Sequence, residues 1–333
     1  MSAAVRALLI DMPEADLASA SAVRERAEQV LRPGGALQRL DDAAVHVAAW
    51  RADPRPSVDR PAVLVFAGDH GIAAAGVSKY PPDVTAAMLS AVEAGRATIN
   101  AFARSIGATL DVVDVGVGVP TCDIRVEPAM SAERFDEIAD TAIATVDAAA
   151  AAGADLVVLG ELGIGNTTIA AALPAALIGG GAARWVGRGT GIDDDGLDRK
   201  LAAVEQAVER IAGVDDPIEI MRELGGAELT AMAVACARAR RHRIPVVLDG
   251  YIAAAAVLPL HVAAPAALDH CLAGHVSAEP GHRAILEHIG KEPLLDLGMR
   301  LGEGSGAAAA VPLIRMACAG IVEVATFDEW FDE

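Results

Sequence analysis

Apolar positions recur at helical spacing from Leu17 to Val30, stop at Arg32-Pro33-Gly34-Gly35, and resume from Leu37 to Trp50. A 3.6-residue period broken by Pro-Gly-Gly predicts helices across residues 1–50. After Pro61 the pattern changes. Ala62-Val63-Leu64-Val65-Phe66-Ala67 is an unbroken apolar run ending in Gly68-Asp69-His70-Gly71. Continuous rather than alternating hydrophobicity suits a parallel strand covered on both faces. Thr109 to Gly116, Asp155 to Gly160 and Ile244 to Gly250 read as further strands. Helices are expected between them at about Pro82 to Ile106, Glu133 to Ala152, Asn166 to Leu173 (stopping before Pro174), Asp193 to Val214 and Glu223 to Arg240. Such alternation predicts the α/β class, with βαβ units, right-handed crossovers and a mostly parallel sheet flanked by helices. Ligands of such sheets bind outside the C-terminal ends of the strands. Here those ends carry Asp69, Asp114, Glu161 and Asp249.

Charge and composition narrow the function. With 27 basic and 46 acidic residues in 333, the net charge is −19. A sequence-independent nucleic-acid partner needs clustered positive charge, so none is expected. A single small anion needs only a local nest of donors and stays open. Aromatic residues make up 3% of the chain, so the core must be aliphatic. The apolar stretch Ala7 to Ile10 is too short for a signal-peptide core. Two longer uncharged runs, Ile169 to Ala183 and Gly250 to Leu268, contain prolines, and the second also His261, which argues against membrane spans. A soluble, cytoplasmic protein is expected. Cys122, Cys236, Cys271 and Cys318 lack CxxC spacing, so no metal or disulfide framework is expected and each reads as a small buried hydrophobe.

Three glycine-rich segments could carry chemistry. Gly160-Glu161-Leu162-Gly163-Ile164-Gly165-Asn166-Thr167-Thr168 joins a strand to a helix. Gly163 and Gly165 permit close backbone approach, and Thr167 and Thr168 sit near a helix start whose free N–H groups attract an anion. An ordinary strand–helix turn is the alternative, and no Gly-Lys-Ser/Thr follows to make a P-loop. Gly187-Arg188-Gly189-Thr190-Gly191 precedes a helix holding Lys200; Arg188 and Lys200 are phosphate candidates, unless Lys200 pairs with a surface acid and Arg188 is simply exposed. Glu303 lies between Gly302 and Gly304 in an apolar stretch. A carboxylate held there has a raised pKa suited to a general base, whereas a solvated loop glutamate does not. His275 and His282 flank Ser277-Ala278-Glu279-Pro280-Gly281 without HExxH spacing, which suggests a ligand loop or a structural corner rather than a metal site. His70, beside Asp69 at a strand end, is similarly open.

Together these strings resemble the nicotinate-nucleotide–dimethylbenzimidazole phosphoribosyltransferase family. The match runs in order through FAGDHGI at 66–72, GVSKYPPDVTAAM at 76–88, GELGIGNTT at 160–168, GRGTGIDDDGLDRK at 187–200, VVLDGY at 246–251, SAEPGH at 277–282 and LLDLGMRLGEGSGA at 294–307. The resemblance implies transfer of 5-phosphoribose from nicotinate mononucleotide to 5,6-dimethylbenzimidazole, giving α-ribazole 5′-phosphate and nicotinate with inversion, in cobalamin nucleotide-loop assembly. It implies a large Rossmann-like domain at 56–304 and a small helical domain from both termini, 1–55 with about 305–333. It also implies a homodimer whose site borrows residues from the neighbouring subunit.

By the same resemblance Glu303 is the general base. Glu161 and Asp249 lie near the ribose and the base, and Gly163, Gly165, Asn166 and Thr167 form the loop that meets the nucleotide. Lys200, with Arg188 nearby, contacts the phosphate, and Ser78, Tyr80 and Met88 line the benzimidazole pocket. No cofactor and no metal are implied, because nicotinate leaves as a cationic pyridinium becoming neutral. Three positions depart from the family pattern. Ala87 stands where a glutamine is common, Leu162 replaces a methionine, and Arg32-Pro33-Gly34-Gly35-Ala36-Leu37-Gln38 replaces a Lys-Pro-Pro-Gly-Ser-Leu-Gly loop. A dinucleotide-dependent oxidoreductase is disfavoured, since Ala67-Gly68-Asp69-His70-Gly71 lacks GxGxxG spacing. A non-catalytic nucleotide- or base-binding homologue is the remaining alternative.

Overall fold

The computed structural model describes residues 3–332. Among them, one parallel sheet has the order β2-β1-β3-β4-β5-β6. Its strands are β1 (Pro61–His70), β2 (Thr109–Thr121), β3 (Leu156–Leu162), β4 (Val246–Leu248), β5 (Cys271–His275) and β6 (Pro293–Leu295). The helices are α1 (Ala3–Leu8), α2 (Leu17–Ala27), α3 (Arg39–Arg51), α4 (Val84–Glu93), α5 (Thr98–Ser105), α6 (Ala132–Ala151), α7 (Asn166–Leu177), α8 (Ala182–Trp185), α9 (Asp194–Arg210), α10 (Pro217–Leu224), α11 (Ala227–Arg241), α12 (Tyr251–Ala263), α13 (His282–His288), α14 (Ser305–Val322) and α15 (Phe327–Phe331).

The apolar run in β1 is covered on both faces, as its pattern requires. Leu64 and Phe66 face a core shared with α6, α7, α9, α11 and α12. Val63 and Val65 face the opposite core, shared with α2, α3, α5 and α14. The two chain ends meet in that second layer. Leu31 N donates to Ala325 O, Phe327 N donates to Gln29 O, and Arg26 donates to Ile321 O and Val324 O. Helix α1 lies apart from them, with Val5 and Leu8 in the first core and Arg6 paired to Asp216.

Several boundaries differ from the periodicity. The helix expected over 82–106 is two, α4 and α5, divided at Gly95, whose φ of 74° breaks the helix. The helix expected from Glu223 is likewise two, parted at Gly225-Gly226. Helix α7 continues through Pro174 to Leu177: the proline lies in its last turn, and packing of the buried helix outweighs the lost donor. Cys122 is exposed rather than buried, unlike the other three cysteines. Strands β5 and β6 hold no β-branched residue and so do not declare themselves by pattern. Helix α14 is long and apolar enough to cross a membrane by length and composition, but 56% of it is buried inside the fold. Its Arg315 donates to Val58 O and Ile106 O, as suits a core helix.

The start of α14 rests directly on the ends of β3 and β5, and glycine makes that possible. A Cβ on Gly160 would collide with the backbone of Glu303, and one on Gly306 would enter the His275 ring. A Cβ on Gly274 would lie 2.6 Å from the Ala307 Cα. Gly274→Ala therefore forces α14 off the sheet. Urea unfolding should show a loss of about 1–3 kcal/mol, the range for overpacking. An unchanged midpoint would disprove the close-approach argument.

Candidate active site

The ends of β3, β4 and β5 open into a cavity of about 430 Å³, a size that suits a small ligand. Glu161, Asp249, His275 and Glu303 form its acidic floor, while Tyr80, Val84, Met88, Ile164 and Leu301 provide apolar wall. The strand order reverses between β1 and β3, so Glu161 stands beside the crevice where such sheets bind ligands.

Glu303 occupies a constrained backbone. Its φ is 63°, between Gly302 at 88° and Gly304 at 83°. A glutamate in the left-handed region is uncommon, and such positions persist only where their surroundings enforce them. Its side chain is buried, and Ile99 N at the start of α5 donates to Oε2 at 3.4 Å. Burial raises the Glu303 carboxyl above its ordinary range and the charge of Asp249 adds to this, while the Ile99 N–H opposes it.

Asp249 follows β4 and accepts from Ala307 N at 2.9 Å, with His275 Nε2 3.5 Å away. It thus caps the helix that Glu303 introduces. Burial raises its pKa, while His275 and the N–H groups of Ala307, Gly306 and Gly304 pull it back. Glu161 accepts from Asn166 Nδ2 at 2.5 Å. Burial, then Glu228 and Asp249, push its carboxyl well above the usual range, which favours the neutral acid there. Crowded carboxyl groups cannot all ionise, and Glu161 is the one best placed to keep its proton.

Behind the Gly163 turn lies a pair that sequence reasoning only half anticipated. His70 Nε2 is 2.7 Å from Glu228 Oε1, and both side chains are wholly buried. A Cβ on Gly163 would come within 2.8 Å of Glu228 Oε1, His70 Nε2 and Gly68 O, so the turn sits flush on the pair. His70 was ambiguous in the sequence. Glu228 had no signal at all, because a lone glutamate in the first turn of a helix reads as ordinary helix-start chemistry.

Gly165, with φ of 97°, starts α7 and is buried behind the cavity wall, whereas Gly163, Asn166 and Thr167 face the cavity. Lys200 is one layer back. Its Nζ donates to Thr167 Oγ1 at 2.8 Å and to Gly187 O at 3.0 Å, and burial lowers its pKa to about 8. Arg188 does not join the site. It is half exposed, donating to Asp194 at 2.5 Å and Ile192 O at 2.9 Å, as the simple surface reading of that residue had it. Arg300 supplies the cation on the wall instead, donating to Gly189 O at 3.0 Å; its position between Met299 and Leu301 gave no sequence signal.

Tyr80 and Met88 line the cavity, but Ser78 does not; its hydroxyl accepts from Tyr80 N at 3.4 Å. Ala87 is exposed and off the wall, although Val84 and Met88 on the same helix are on it. Leu162 is on the wall, while Arg32 in the divergent N-terminal loop pairs with Asp41. The segment from His275 to His282 proves to be both ligand loop and structural corner. His275, Ser277 and Glu279 line the cavity, while His282 Nδ1 accepts from Ser277 N at 2.8 Å. Burial lowers His282 to about 3, which keeps it neutral for that acceptor role.

A family model described as phosphoribosyltransferase matches residues 12–330. The chain is 50% identical to the nicotinate-nucleotide–dimethylbenzimidazole phosphoribosyltransferase of Methylocella silvestris over 326 residues, covering 98% of this chain and 94% of that protein. It is 48% identical to the protein of the same name from Cereibacter sphaeroides, covering 98% and 96% respectively. Among solved structures it is similar to CobT from Thermus thermophilus, with a TM-score of 0.90 and 40% identity over 94% of this chain and 98% of that one.

Leaving a buried hydrogen-bonding group without its partner costs about 1–3 kcal/mol, more where the group is charged, whereas an exposed pair contributes about 0–1 kcal/mol. Denaturant unfolding of Glu228→Ala should show the larger loss, and Asp194→Ala, which breaks the exposed Arg188 pair, the smaller. Equal effects would refute the structural weight given to the His70–Glu228 contact.

Proposed function

The chain belongs to the nicotinate-nucleotide–dimethylbenzimidazole phosphoribosyltransferase family and is a pentosyltransferase, and from that premise we propose how it moves 5-phosphoribose from nicotinate mononucleotide to 5,6-dimethylbenzimidazole. The donor phosphate sits at the N-terminus of α7 against Thr167, where free N–H groups and Lys200 behind the hydroxyl favour an anion. The ribose lies over Glu161 and Asn166, with the Gly163 turn beneath it. The benzimidazole fills the apolar side between Met88, Tyr80 and Leu301.

Glu303 takes the N–H proton of the benzimidazole while the other ring nitrogen attacks C1′. The C1′–N bond to nicotinate breaks with inversion, the pyridinium becomes a neutral ring, and the proton rests on the Glu303 carboxyl. As that bond loosens, positive charge grows on the sugar, and the ionised members of the acidic floor stabilise it. The observation that carries this reading is the Glu303 carboxylate, buried and pinned on the cavity floor with a pKa raised toward the range useful to a base.

We extend the proposal to the assembly. Tyr80 and Leu301 are 45% and 54% exposed while lining the cavity, which supports a homodimer with the mouth turned toward the neighbouring subunit. The small helical unit is built from α2 and α3 with about 305–333, supported by the bonds between the chain ends, whereas α1, expected in that unit as part of 1–55, packs on the core of the large one at 56–304. A cytoplasmic location and the absence of a nucleic-acid partner fit the net charge of −19.

The test is Glu303→Gln, read as ribazole phosphate formation. Its kcat should fall by about 10²–10⁴, the usual contribution of a general base, with bound nucleotide retained. Activity within a few-fold of the parent would exclude Glu303 as the base, and an inactive parent would favour the non-catalytic homologue. Glu303 acts only when ionised, so kcat/KM should rise with pH along an acid limb above the ordinary carboxylate range, and that limb should vanish in Glu303→Gln. Above about pH 8 Lys200 loses its charge, so KM for the nucleotide should climb.

A further inference from the structure

Away from the active site, Cys236 of α11 meets His270 and Cys271 at the start of β5, and their donor atoms all lie within 4.8 Å of one another. The sulfurs are 3.4 Å apart, and His270 Nε2 is 3.7 Å from Cys236 Sγ and 3.8 Å from Cys271 Sγ. From these sides, a point equidistant from the three donors lies about 2.1 Å from each, close to the ~2.0–2.3 Å of Zn–N and Zn–S bonds. We propose that Cys236, Cys271 and His270 form a three-donor site for a thiophilic d10 cation, Zn²⁺ or Cu⁺.

The donor set favours this class, since thiolate and imidazole select soft or borderline ions over Mg²⁺ or Ca²⁺. All three side chains are buried, which shields the bound ion from water. The donors come from a helix and from the start of a strand, elements that the core holds in place. His270 Nε2 also lies 2.9 Å from Cys236 O. As an interior helix carbonyl, that oxygen keeps its bond from Arg240 N when the imidazole turns to a metal. The second layer is in place as well: His46 Nε2 donates to His270 O at 3.0 Å, and Trp50 meets the His270 ring edge-on at 5.7 Å.

A site of this kind needs an entry path. A second cavity, of about 700 Å³, is lined by Trp50 and Arg240 together with Asp11, Glu14, Asp269 and Lys291. Arg240 lies over the Trp50 ring at 4.9 Å and that ring meets His270, so the imidazole sits one side chain behind this wall. Three carboxylates at the opening outnumber its two cations. Binding displaces the thiol protons to solvent and forms two S–metal bonds and one N–metal bond, with no change of oxidation state.

The reduced full-length protein is titrated with Zn²⁺ in one arm and with Cu⁺ in another, each against a chromogenic chelator, with thermal melting in parallel. One equivalent of either ion should bind and raise Tm. Cys236→Ala and Cys271→Ala should abolish that equivalent, while Cys122→Ala and Cys318→Ala keep it. Circular dichroism and phosphoribosyl transfer should be unchanged in all four, which establishes that the variants are folded. If Cys236→Ala proves unfolded, His270→Gln replaces it, with at least a tenfold weaker affinity expected. Failure of the parent to bind either ion stoichiometrically, or retention of the equivalent in the Cys236 and Cys271 variants, would overturn the site. So would a Cys236–Cys271 disulfide in aerated protein without binding in the reduced form.

Discussion

The seating of α14 on the strand ends governs the rest of the molecule's active end. Without side chains at 160, 274 and 306, the helix start drops onto the sheet until Ala307 N reaches the Asp249 carboxylate. That single cap fixes where the preceding residues run. Gly302, Glu303 and Gly304 must then turn through three consecutive left-handed conformations to join the strand layer to the helix. The strain in Glu303 follows from the packing and serves to aim its carboxylate. Interiors packed to this density leave few alternative positions for it.

The same contact explains the electrostatics. Glu161, Asp249 and Glu303 are brought together by β3, β4 and α14, so the Asp249 charge disfavours ionisation of both Glu161 and Glu303, and the Glu303 charge that of Glu161. What separates them is hydrogen bonding. Asp249 has helix N–H groups and a histidine, Glu303 has one long bond from Ile99, and Glu161 has an amide. One structural arrangement thus holds all three acids above their ordinary range, Glu161 the furthest. Lys200 is the counterpart on the other side of the cavity: a buried cation held by a hydroxyl and a carbonyl rather than by an acid.

Much of this was legible in the chain, for identifiable reasons. The β1 run is apolar on both faces because both faces are covered, and a continuous pattern encodes that directly. Glu161, Asn166, Thr167, Asp249 and Glu303 sit at strand ends or helix starts, which glycine punctuation marks. Arg188 misled because flanking glycines look alike whether a loop cradles a ligand or merely turns. Its guanidinium reaches Asp194 six residues on, a local pairing that spacing does not reveal. Arg300, Glu228 and the Cys236–His270–Cys271 cluster were invisible because their meaning lies in partners dozens to hundreds of residues away. Strands β5 and β6 escaped for want of pattern: Cys271-Leu272-Ala273-Gly274-His275 and Pro293-Leu294-Leu295 hold no β-branched residue, unlike the Ile244 to Leu248 run that revealed the short β4.

The clasp between the chain ends has a consequence for how the enzyme comes into being. Helix α14, with Glu303 at its head, packs on α3 and is tied through its C-terminal end to residues 26–31. The ribosome releases Arg26 long before Ile321. Contacts so remote in sequence are the slow ones to form, and they cannot form at all on a growing chain. Glu303 therefore has no fixed address until α14 has been made and has packed against the sheet. A chain stopped short of α14 keeps Glu161 and Asp249 but leaves the Asp249 carboxylate without the helix start that it caps.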